Sequence, residues 1–272
     1  MLRQRVTTAL LLVAVLLIVM LALPTIATVW LVTMLVLVGA WEWAAFLGKG
    51  GNGPRIAFTI VIALTLVASL YFYARSPDFV PLVMMIAMAW WIVAFLWVCL
   101  APGRVHPVSA AIAGVLSLVP CWLALVHVTY TTGSTYWVLF TLALVWAADT
   151  GAFFAGRWLG RVPLAPRVSP KKTWEGVIGG VATSGLVAWI GATFLGRFLP
   201  VADVWPFVIT CVAVAALSIV GDLTESMLKR AVGLKDSGSV FPGHGGMLDR
   251  IDSVTAAAPA LVFALIALKI LP

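Results

Sequence analysis

Apolar residues fill this 272-residue chain in long blocks that short polar stretches interrupt. Each block is close to the roughly 20 residues with which a helix crosses the hydrocarbon core of a bilayer. The pattern predicts an all-α, polytopic integral membrane bundle with about nine transmembrane helices. They are placed over 6–23, 25–47, 56–74, 79–99, 108–128, 136–155, 174–196, 204–230 and 254–271. Pro24 marks a tight turn between the first two. A secretory signal with Arg3 and Arg5 as its charged start is the alternative for the first block. The length of that block and the spans that follow it count against a signal.

Charge placement tests the count. With the N-terminus cytoplasmic and nine crossings, only Arg75, Arg197 and Lys269 of the 17 Lys and Arg residues fall outside. One missed or invented span would reverse everything after it. The net charge of +7 then reads as cytoplasmic loops facing anionic lipid headgroups, and nucleic-acid binding is not expected. Cys99, Cys121 and Cys211 lie in or at the ends of spans and form neither a disulfide framework nor a metal spacing.

Against 63% hydrophobic and 10% charged residues, the acidic ones are unevenly spread. Asp149, Glu175, Asp203, Asp222, Glu225, Asp236, Asp249 and Asp252 all lie late in the chain, and only Glu42 and Asp78 precede them. The chain therefore divides into N-terminal scaffold helices over 1–135 and a catalytic region over 136–272, with cytoplasmic loops at 156–173 and 229–253. Glu42, near the cytoplasmic edge of its span, reads as a local hydrogen-bonding residue and is given no role. The GKGGNGPR run at 48–55 reads as a turn rich in helix breakers.

Charge beside lipid costs about 2.5–3.5 kcal/mol on insertion scales, so intramembrane ionisable groups are functional candidates. Asp149 and Asp222 sit at matching depth in the cytoplasmic halves of their spans, although a helix-packing hydrogen bond would also account for either. Asp222, Glu225, Ser226 and Lys229 stand at i, i+3, i+4 and i+7 and share one helix face, with Glu225 and Lys229 free to pair. Asp249 and Asp252 stand three apart, so on a helix both point one way and Arg250 turns aside. Carboxylates of this kind suit Mg²⁺, which is usually shared with substrate phosphates. The glycines of PGHGG allow close approach to an anion, and His244 could contact phosphate. Lys171, Lys172, Lys229, Arg230 and Lys235 supply positive charge, with a headgroup-facing role as the alternative. The set suggests phosphoryl or nucleotidyl transfer between a polyphosphate and a lipid. No GxxxxGK[ST] or GxGxxG run is present.

The run Ser226-Met-Leu-Lys229-Arg230, Lys235-Asp236, Pro242-Gly-His244-Gly-Gly and Asp249-Arg250-Ile-Asp252 resembles the signature of the phosphatidate cytidylyltransferases, or CDP-diacylglycerol synthases. ADTGAFFAGR from Ala148, LAPRVSPKKTWEGVIGG from Leu164 and AWEWA at 40–44 are similar to that family too. Thr150 and Phe153 stand where Ser and Tyr are commoner, so position 153 is given no polar role.

The resemblance implies CTP + phosphatidate → CDP-diacylglycerol + pyrophosphate, with Mg²⁺ and K⁺ as a second cation. It also implies a homodimer in a bacterial-type inner membrane, with the active site facing the cytoplasm. Carried over, Asp222 and Asp249 match metal-binding aspartates, and the spacing adds Asp252. Ser226 and Lys229 match residues that line the same cleft. Ser169, Lys171 and Lys172 fall in the SPxKT loop. With Arg230, Lys235, His244, Arg250 and Asp149, they complete the substrate-binding candidates. Two alternatives remain: a cytidylyltransferase for another lipid phosphate, and a secondary transporter with Asp149 and Asp222 as ion sites. The transporter reading leaves the long polar loop unexplained.

Overall fold

A computed structural model describes residues 13–48, 51–131, 134–195, 204–240 and 245–271. Helix α1 covers Val13–Ala22, and the earlier part of the expected first span lies outside the described residues. Then come α2 (Thr25–Trp43), continued by a 3₁₀ turn over Ala44–Leu47, α3 (Asn52–Tyr73), α4 (Phe79–Leu100) and α5 (Pro107–Thr129). The later elements are α6 (Ser134–Leu159), strands β1 (Pro163–Ala165) and β2 (Ser169–Thr173), α7 (Trp174–Leu195), α8 (Val204–Ala231) and α9 (Leu248–Ala267). Among the described residues, eight helices, α2 to α9, are long and apolar enough to cross a membrane.

The polar ends define the elements. Pro24 caps α2, as expected of the turn there. At α5, the His106 ring accepts a hydrogen bond from Val108 N–H, Ser109 closes a capping box, and Pro107 takes the first-turn position where a missing N–H costs nothing. Three boundaries differ from the expectation. The 48–55 turn is shorter than expected, because α3 begins at Asn52 with Pro54 in its first turn, where a missing N–H is tolerated. The 156–173 stretch is not a plain loop. α6 runs on to Leu159, and β1 and β2 then pair antiparallel, Pro163 opposite Thr173 and Ala165 opposite Ser169. Prolines at 163, 166 and 170 forbid a helix there, while the residues between them satisfy one another as a hairpin. The expected 229–253 loop is also shorter, because α8 continues to Ala231 and α9 begins at Leu248. Apolar content did not mark that start, since the first turn of α9 is polar and carries Asp249.

Helix α5 is the central post, with nearly every side chain from Ser117 to Thr129 buried. It touches α2, α3, α4, α6 and α9. Indole N–H groups tie this centre together: Trp43 donates to the Ala110 carbonyl at 2.8 Å, Trp90 to Ser117 Oγ at 3.0 Å and Trp122 to Thr33 Oγ1 at 2.9 Å. Leu64, Val67, Ile92 and Val93 point outward and are more than half exposed, as side chains facing acyl chains are.

Helices α6 and α7 make the most extensive pairing. Small residues set it: a Cβ at Gly180 would come within 2.7 Å of the Ala148 carbonyl, and one at Gly151 equally close to that of Gly179. Thr183 Oγ1 donates across the seam to the Ala147 carbonyl at 2.8 Å. The seam fixes the rotation of α6 and so aims Asp149. Gly180→Leu should therefore part the two helices, lowering stability by about 1–3 kcal/mol. Thermal unfolding in detergent checks this, and a variant as stable as the parent would refute the small-residue account of the seam.

Candidate active site

Four chain segments bring polar groups to one end of the bundle. Helix α8 presents Asp222, Glu225, Ser226 and Lys229 along one face, in the expected order. Gly221 lets α9 come close: a Cβ there would stand 2.6 Å from the Asp252 carbonyl oxygen. Helix α9 contributes Asp249 and Asp252 from its first turns, α6 contributes Asp149, and β2 contributes Lys172.

Two ion-paired groups organise the cluster. Lys172 Nζ lies 2.5 Å from Asp222 Oδ2, and Ser226 Oγ donates to Asp222 Oδ1 at 3.2 Å. Lys229, almost fully buried, bridges Glu225 at 2.8 Å and Asp249 at 2.6 Å. Asp249 also accepts from the backbone N–H groups of Ser237 at 3.0 Å and Gly246 at 2.8 Å. Asp252 accepts from Ser253 N–H at 2.6 Å and faces Asp222, Glu225 and Asp149. Asp149 in turn faces Asp222, Lys172 and the Ser253 side chain. Among the described residues, the salt bridges to these five carboxylates come from Lys172 and Lys229. Like charges about 4 Å apart repel by roughly 4 kcal/mol at an effective dielectric constant near 20. Among the described residues, one Glu225 oxygen is buried without a hydrogen-bond partner.

A cavity of about 520 Å³ opens beside this cluster, with Asp149, Asp222, Lys171, Lys172, Arg157 and Thr173 among its lining. The other expected site residues lie elsewhere. Ser169 begins β2 opposite Ala165, away from the cavity lining. Arg230 is exposed and donates to the Leu234 carbonyl at 3.0 Å, while Lys235 and Arg250 are exposed at the surface. His244 lies outside the described residues. The glycines that follow it meet the protein's own carboxylates: Gly245 has φ +82° and Asp249 against it, and Gly246 packs on Glu42.

Glu42 is the residue that sequence reasoning missed. It is not a local hydrogen bonder. Its Oε2 accepts from Ser237 Oγ at 3.1 Å and from Leu248 N–H at 2.8 Å, while Oε1 is buried without a partner among the described residues. A scaffold helix thereby fixes both ends of the loop that carries Asp249's backbone donors. Two small residues in that loop, Gly238 and Gly246, leave room for the Glu42 carboxylate. The signal was a single buried-span glutamate followed, far downstream, by glycines with no other evident need.

Among the described residues, no group of three or more His, Cys, Asp or Glu side chains is spaced to enclose a metal ion. Mg²⁺ characteristically takes one or two carboxylates and completes its shell with water and substrate phosphates, so the donor set is of the right kind. Asp222 and Asp249 each have an oxygen shared with a lysine that such an ion would compete for.

The family model described as the cytidylyltransferase family matches residues 3–268. The chain is 37% identical over 281 residues to the phosphatidate cytidylyltransferase of Haemophilus influenzae, covering 95% of this chain and 96% of that protein. It is 38% identical over 266 residues to the phosphatidate cytidylyltransferase of Pseudomonas aeruginosa, covering 95% of each. With the same-named Brucella suis protein it shares 44% identity over 124 residues, 46% of this chain and 44% of that one.

If Glu42 braces the loop, Glu42→Ala releases it. Trypsin cleavage after Lys235 in detergent should then be about tenfold faster, the scale of a lost hydrogen bond to a charged group. Unchanged cleavage would show that the loop holds itself.

Proposed function

Since the chain belongs to the cytidylyltransferase family, we propose that it transfers the cytidylyl group of CTP to phosphatidate, releasing pyrophosphate, at a cleft in the membrane that opens to the cytoplasm. The observation that carries the site assignment is the surplus of carboxylates over lysines beside the cavity that Asp149, Asp222 and Lys172 line. Such a surplus suits a cation shared with a polyphosphate. The cytoplasmic sidedness rests on the distribution of basic residues.

Asp222 and Asp249 are the residues that would hold Mg²⁺. The ion would neutralise phosphate oxygens of CTP as charge builds on the leaving pyrophosphate. Lys171 and Lys172, at the cavity, are placed to hold the pyrophosphate oxygens. Lys229 is better placed to orient Asp249 than to reach substrate, because Glu225 and Asp249 already occupy its ammonium group. Ser226 holds Asp222 in its rotamer. A phosphate oxygen of phosphatidate attacks the α-phosphorus of CTP, and the bond to the β-phosphate oxygen breaks. A phosphate monoester has a second pKa near 6, so it is largely a dianion at pH 7 and needs no strong general base.

Purified protein in detergent, given labelled CTP and a panel of lipid phosphates, tests this reading. Phosphatidate should be cytidylylated in a magnesium-dependent way, with chelation stopping turnover. Preference for an isoprenoid phosphate would redirect the substrate assignment, and no transfer to any lipid would defeat it. Asp222→Asn and Asp249→Asn should each lower kcat by about 10³-fold or more, the scale seen when a preorganised charge-stabilising group is removed. Near-parental turnover in folded Asp222→Asn protein would remove the cation role from that residue.

A further inference from the structure

Two further cavities lie at the same end of the bundle, and the reaction as proposed leaves both without a task. One, of about 590 Å³, is lined by Arg104, Arg167 and Arg230 together with Leu100 to Gly103 and Ala231. The arginines come from three separate places: the turn between α4 and α5, the tip of the hairpin and the last turn of α8. Among the described residues, no acidic side chain lines this cavity. Among the described residues, the salt bridges engage Lys172 and Lys229 and none of the three arginines.

The other cavity, of about 630 Å³, adjoins the first and shares Pro102 and Arg167 with it. Its wall is otherwise almost entirely apolar, with Phe95, Val98, Val220 and Leu223 among its members. It also shares Leu164, Val177 and Ile219 with the cavity beside Asp222, so one layer of side chains separates the two.

We infer that the arginine cavity and the apolar cavity together form a docking site for a lipid phosphate monoester. Its phosphate sits among Arg104, Arg167 and Arg230, and acyl chain fills the apolar cavity, one wall away from the catalytic carboxylates. The inference rests on the cytidylyl-transfer reading for the identity of that lipid, phosphatidate. Charge complementarity selects it. A phosphate monoester carries about −1.5 to −2 at pH 7 and three strong acceptor oxygens, which suits three guanidinium forks better than a zwitterionic headgroup does. The catalytic cavity, by contrast, places Asp149 and Asp222 among Arg157, Lys171 and Lys172, and the latter two are already assigned to pyrophosphate. An arginine vestibule beside that cavity gives the lipid a favourable place to wait.

Cys99 lines the apolar cavity and is exposed, whereas Cys121 and Cys211 are buried. Its modification by a small thiol reagent therefore reports occupancy. The full chain is placed in phosphatidylcholine nanodiscs containing a minority of either phosphatidate or diacylglycerol, without CTP, and labelling of Cys99 is timed. Phosphatidate should slow labelling about tenfold relative to diacylglycerol, the scale of a hydrogen bond to a charged group. Combined Arg104→Gln and Arg167→Gln exchange should abolish most of that protection. The same exchange should raise KM for phosphatidate while leaving KM for CTP near its parental value, a split that general loss of structure would not give. Equal labelling in the two nanodiscs, in protein that turns over CTP and phosphatidate, would overturn the docking site and leave the reaction intact. Full protection persisting in the double variant would overturn the role of the arginines. Protection without any cytidylyl transfer would instead overturn the reaction and leave an acidic-lipid site standing.

Discussion

Ionised carboxylates cannot stand alone at the edge of a bilayer, and much of this molecule can be understood as an answer to that constraint. Isolated charge near hydrocarbon is costly, and the cost is met by pairing, hydrogen bonding or hydration. Lys229 lies between Glu225 and Asp249, Lys172 lies on Asp222, and backbone N–H groups from Ser237, Gly246 and Ser253 complete the shells. Lys172 reaches Asp222 from β2 and Lys229 reaches from α8 to Asp249 on α9, so the cluster is complete only when the bundle is assembled. The close seams at Gly151, Gly180 and Gly221 belong to the same answer, because they draw α6, α7, α8 and α9 near enough for the acids and bases to meet.

The hairpin between α6 and α7 connects this chemistry to the lipid side. Its second strand carries Lys171 and Lys172 into the cavity beside Asp222, while Leu164, Ala165, Pro166, Arg167 and Val168 face the apolar cavity. One short element thus forms part of the wall between a polar chamber and a greasy one. A nucleotidyl transfer between a soluble triphosphate and a membrane lipid needs such a boundary, since its two reactants favour opposite solvents.

The helices were legible because apolar runs near the span length leave few other options. The polar face of α8 was legible from helical spacing alone. Two features were not. The start of α9 was hidden because its first turn is polar and carries its acids where hydropathy reads loop. Glu42 was hidden because nothing near it in sequence shows its purpose; its partners, Ser237 and Leu248, come 195 and 206 residues later. The small-residue spacing at Gly176 and Gly180 could have announced the α6–α7 seam, since it matches the pattern that lets membrane helices pack closely. The hairpin needed its tertiary setting, because proline-punctuated sequence reads equally well as loop.

The long reach of Glu42 has a bearing on biogenesis. At a ribosomal pace of about 5–20 residues per second, roughly 10–40 s pass between the emergence of this glutamate and that of the Leu248 amide it will accept from. Throughout that interval the newborn chain holds an acid at the rim of α2 with its eventual partners not yet made. Water at the membrane surface has to serve as its temporary solvent. The last-made helix therefore does more than close the bundle: its arrival retires an early debt of solvation, and a nascent chain halted before it would carry the reactive floor half built.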